Sequence, residues 1–117
     1  MYQYQLDSYE RAVRAQNCGH NVDIIDCYVN LGLQRAQQCQ TGADTRRVYF
    51  RVISTLEEAM CDHLLCPHWR QHCFRVIKRL TPLIFEMLNE KEYGELITKI
   101  RSLAKYFLPT KRSQQSR

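Results

Sequence analysis

The chain is 117 residues long, 44% hydrophobic, and carries six cysteines and a formal charge of +5. That length suits one domain with enough chain to bury a core unaided, so disulfides are optional. No apolar run approaches the roughly 18 residues of a membrane helix, and the start MYQYQLDSYE lacks the basic and apolar regions of a secretory signal. The expectation is therefore a cytoplasmic or nuclear protein whose cysteines are free, metal-bound or reactive rather than bridged.

Four glycines and three prolines fall where helices should end, and no segment alternates with period two. This predicts an all-α bundle of five to six helices over residues 1–109, followed by a disordered basic tail over 110–117. The first helix sets Tyr2, Leu6, Tyr9 and Val13 on one face and closes near Gly19. Asn21 is placed to cap the second, which runs from Val22 to about Gln40. Its apolar residues wrap unusually far, with Ile24, Cys27, Tyr28 and Leu31 on one side and Val22, Ile25, Val29, Leu33 and Ala36 on another. Such an arc makes the helix either central or covered by a second chain, which predicts self-association through Val29.

TGAD breaks the chain before a third helix, Thr45 to about Leu65, with Val48, Tyr49, Val52, Leu56, Ala59 and Met60 inward and Arg47, Arg51 and Glu58 outward. Cys66 before Pro67 marks a boundary, and Trp69, Cys73, Val76 and Leu80 form the stripe of a fourth helix. TPLIFEMLN predicts another boundary, with Thr81 as cap and Pro82 opening a short fifth helix. A last helix carries Tyr93, Leu96, Ile97, Ile100, Leu103, Ala104 and Phe107 on one face, directs Arg101 and Lys105 away, and stops at Pro109.

CDHLLCPHWRQHC, Cys61 to Cys73, packs three cysteines and three histidines into one helix corner. It has no CxxC, and only His68-x3-His72 has a familiar chelating spacing on a helix. The quartet that could hold one structural zinc is Cys66, His68 and His72 with either Cys61 or His63. Arg75 and Arg79 share that side and oppose a divalent cation. Without metal, Cys27 and Cys73 read as small core residues and His63 as a core-edge histidine. A redox or nucleophilic thiol at Cys61 or Cys66 is the third alternative, but no orienting constellation supports catalysis.

Of the five net charges, three (Lys111, Arg112, Arg117) lie in the last eight residues, which leaves about +2 on the body. His68, His72, Arg75 and Arg79 form a basic stripe, and Arg46, Arg47, Arg51, Arg101 and Lys105 add charge elsewhere. Phe50, Phe74 and Phe85 fall off the main apolar faces and read as a second core layer or a partner patch. Together these features favour a non-enzymatic helical protein-interaction module, a small adaptor or regulator of the economy seen in viral accessory proteins, that binds itself or another protein. The alternative is an electrostatic nucleic-acid binder whose Arg47, Arg51, Arg75 and Arg79 contact phosphates. No small-molecule substrate is implied.

Overall fold

The computed structural model describes residues 2–16 and 21–108, without the side chains of residues 2–4. The expectations placed on the Tyr2 side chain, Gly19, Pro109 and the tail lie outside the described residues. The helices are α1 (Tyr2–Ala15), α2 (Asp23–Gln37), α3 (Gly42–Met60), α4 (Pro67–Ile84) and α5 (Glu90–Phe107), with a single 3-10 turn, Phe85–Met87, between the last two. The described residues contain no strand, so the all-α bundle follows as the periodicity implied. It is flattened, with Cα extents of 52 × 35 × 16 Å.

The hub is α3, which packs against all four other helices. Its buried residues Val52, Ile53, Thr55, Leu56, Glu57, Ala59 and Met60 sweep about 200° of its circumference at 100° per residue. A central place, one of the two explanations for the wide apolar arc of α2, thus belongs to α3. The fully buried residues of α2 are Ile25, Tyr28, Val29, Gly32 and Ala36, which span an arc of only about 100°. Ile24, Leu31 and Leu33 are half-buried and Cys27 is exposed, so Cys27 is no core residue. The wide burial of α3 was masked by polarity: Thr55 is fully enclosed, and its hydroxyl donates to the Arg51 carbonyl at 3.1 Å.

Helix α2 lies close on α3 because Gly32 has no side chain. A Cβ there would stand 2.6 Å from Val52 Cγ2. Thr41 caps α3 by accepting from the Asp44 amide at 3.0 Å, so the helix begins before Thr45. It also ends at Met60 rather than Leu65, since the Asp62 carboxylate accepts from the Leu64 amide at 2.9 Å and draws the chain into a turn. Asn21 accepts from the Asp23 amide at 3.1 Å, while Val22 occupies the cap position of α2.

The boundary expected at Pro82 is absent, and α4 continues through it to Ile84. Proline cannot donate to the carbonyl one turn back, that of Lys78. The preceding Thr81 does so instead, its hydroxyl donating to the Lys78 carbonyl at 3.1 Å. The helix keeps that acceptor satisfied and passes over the proline. A capping box between Asn89 and Glu92 then opens α5.

Candidate functional site

The cysteine–histidine corner is where three helices end. The C-terminal ends of α1, α3 and α5 converge on the first turn of α4. Trp69, fully buried, donates its indole N–H to the Val13 carbonyl of α1 at 3.0 Å. Arg70, 5% exposed, donates from Nε to the Met60 carbonyl of α3 at 2.8 Å and from its terminal nitrogen to the Phe107 carbonyl of α5. One guanidinium therefore meets the orphan carbonyls and negative dipole ends of two helices. Gln16 joins the corner, accepting from the Cys66 amide at 2.9 Å and reaching Cys66 Sγ at 3.2 Å.

The candidate zinc ligands are dispersed around this junction. His63 stands against Phe107 with ring centroids 5.4 Å apart, His68 is exposed, and His72 Nε2 lies 3.1 Å from Asp26 of α2. Cys61 is half-buried, and Cys66 is engaged by Gln16. Among the described residues, no three His, Cys, Asp or Glu side chains come together as a metal set. Burial, followed by the Glu57 charge, pushes the Cys61 thiol above its usual range, the opposite of what activates a thiolate. Cys73 is enclosed and pushed up to about 12 by burial.

The basic face divides into bound and unbound cations. Arg51 is folded into the core edge, where it donates from Nε to Glu10 at 2.5 Å and also meets Asp7. Its hydrogen bond to Glu10 holds its pKa above the ordinary arginine value. Glu10, which went unnoticed in the sequence, is 6% exposed and also accepts from the Tyr28 hydroxyl at 2.7 Å. Burial, with Glu10 adding to it, raises Tyr28 well beyond the usual phenol range. Arg47 pairs with Asp44 at 2.6 Å and Arg79 with Asp26 at 3.3 Å. Arg75 alone of the four has no ion pair among the described residues.

The off-face phenylalanines separate likewise. Phe50 and Phe74 are half-buried against the core, and each is covered by a cation, Arg46 at 5.4 Å and Lys78 at 4.8 Å from the ring centroid. Phe85 is 49% exposed and meets Tyr93 edge-on at 4.7 Å.

Between α2 and α4 the surface opens into a groove of about 390 Å³. Val29, Leu33, Val76, Leu80 and Leu83 make its apolar lining, and Asp26 and Arg79 lie at its edge. Val29 is buried at its base, while Leu83 stands 51% exposed at the rim. Beside the groove lies a second depression of about 410 Å³ bounded by Asp26, His72, Arg75, Lys78 and Arg79. One acid thus faces three permanent cations there. The sequence grouped Val29 with Leu33 and Val76 with Leu80, and pointed to Arg75 and Arg79, but set Leu83 apart from them in a separate helix. The signal was the i, i+3 spacing of Leu80 and Leu83, hidden by the boundary assigned at Pro82.

No family model, curated protein or solved structure matches this chain. Among the described residues, no helix is long and apolar enough to cross a membrane.

Proposed function

We propose that the chain is a non-enzymatic helical protein-interaction module that docks an amphipathic protein segment with acidic flanks in the α2–α4 groove. The observation that carries this reading is the pairing of an apolar groove, with Leu83 at its rim, and an adjoining depression of net positive charge. The apolar lining offers the area that holds an amphipathic segment, and Arg75 and Lys78, neither in an ion pair among the described residues, select acidic residues beside it. The nucleic-acid alternative is weakened by the cations it needs. Arg47, Arg51 and Arg79 are already held by acids of the same chain, and Asp26 sits within the α4 stripe.

The reading is tested by placing a photo-reactive amino acid at Leu33 or Leu83 in the full-length chain, irradiating cells that express it, and sequencing what is captured. The expected product is a protein segment with a leucine- or isoleucine-type stripe and acidic flanks, captured from both positions and lost on changing Arg75 and Lys78 to Glu. Capture of RNA or DNA, or of nothing above the level given by a control position on the far side at Arg11, overturns it.

A further inference from the structure

Resting on that reading, we infer that the docked segment is the same surface of a second copy of the chain, in a two-fold dimer centred beside Leu83. The inference comes from the order of side chains along the outer face of α4 and the turn beyond it. His68, His72, Arg75 and Arg79 come first, with no acid anywhere in the helix, followed by exposed Pro82 and Leu83. Glu86 in the 3-10 turn and Glu90 at the start of α5 then follow, both exposed and without an ion pair among the described residues. The surface is cationic on one side of Leu83, apolar at Leu83 and anionic on the other.

A surface of this kind is complementary to itself under a two-fold rotation, which matches both charged ends and the apolar centre at once. An axis passing between Leu83 and the adjoining groove brings Arg79, four residues or about 6 Å before Leu83 along the helix, to the Glu86 end of the partner, and the reverse contact forms at once. Parallel stacking would instead set cation against cation. The apolar parts fit the same operation. Leu83 stands at the rim of the groove lined by Val29, Leu33, Val76 and Leu80, so knob and hole are neighbours, and the axis seats each Leu83 in the other copy's groove. Glu86 and Glu90 have no ion pair among the described residues to give up, and Arg79 shares only its exposed 3.3 Å contact with Asp26.

Sedimentation equilibrium of the full-length chain over a wide concentration range tests this. The wild type should populate a reversible dimer, and Leu83→Asp should be monomeric with unchanged helical circular dichroism, since Leu83 is half exposed. Arg79→Glu and Glu86→Arg should each weaken association at least about tenfold, because each sets like charges together twice in the dimer. Mixing these two variants should restore association, because the mixed dimer has opposite charges at both contacts. This mixing leaves Leu83 intact and decides the question even if the aspartate variant misfolds. A wild type that stays monomeric, a Leu83→Asp variant that dimerises normally, or a mixture that does not recover overturns the dimer. If a monomeric chain still captures a foreign acid-flanked segment at Leu33 and Leu83, docking stands and only self-association falls. If it captures no protein, both fall.

Discussion

Two carboxylates, Glu10 of α1 and Glu57 of the hub helix itself, are nearly equally buried, at 6% and 7% exposure, yet their surroundings differ. Glu10, on the α1 side, accepts from Tyr28 and twice from Arg51. Glu57, facing α5, has Lys99 at 3.3 Å from one oxygen, while the other is buried with no hydrogen-bond partner among the described residues. Burial alone therefore does not say what an ion contributes; the number of satisfied lone pairs does. The α1 side of α3 is locked by a connected polar network. The α5 side is held more loosely, with only Leu96, Ile100 and the following Leu108 buried.

The sharpest test of this contrast removes one cation from each side. Arg51→Ala takes two charge-assisted hydrogen bonds from Glu10 and should cost about 3 kcal/mol in urea unfolding, whereas Lys99→Ala takes one 3.3 Å contact from a carboxylate already half unsatisfied and should cost roughly half as much. Equal losses would break the comparison. A second pair makes one substitution at two glycines. Gly32→Ala drives a methyl into Val52 and should destabilise by about 2 kcal/mol. Gly94→Ala on α5 meets nothing within 4 Å and should stabilise by up to about 1 kcal/mol, read from the thermal midpoint. The smallest effect concerns acid. Arg46's hydrogen bond holds Glu92 below its usual pKa, so that stabilisation is present at neutral pH and lost as pH falls through the depressed value. Arg46→Ala should therefore lower stability slightly at neutrality and leave it unchanged at the acid end, which flattens the dependence of stability on pH.

What the sequence made legible was whatever periodicity records. The helices, the inward stripes of α3, α4 and α5, and the enclosure of Cys73 and Trp69 follow from residues three and four apart. Contacts between distant positions leave no such trace. Arg51 looks like a surface cation until Glu10, 41 residues earlier, is placed beside it, and Arg70 looks like one until the ends of α3 and α5 arrive. The error at Pro82 was local but of the same kind, because a proline rule assumes an orphaned carbonyl and Thr81 supplies the missing donor. The cysteines and histidines of the α3–α4 corner were conspicuous by composition, while the residues that organise that corner are its tryptophan and arginine.

The position of Arg70 also bears on when this fold can form during synthesis. Its guanidinium needs the carbonyl of Met60, already made, and that of Phe107, 37 residues still to come. A nascent chain that has released α1 to α4 from the ribosome holds a cation bound for the interior with one of its two helix ends missing. Closure of the corner must wait for the last turn of α5, which favours a late, concerted folding step over helix-by-helix assembly. Released chains ending just before and just after residue 107 should differ abruptly in their resistance to protease.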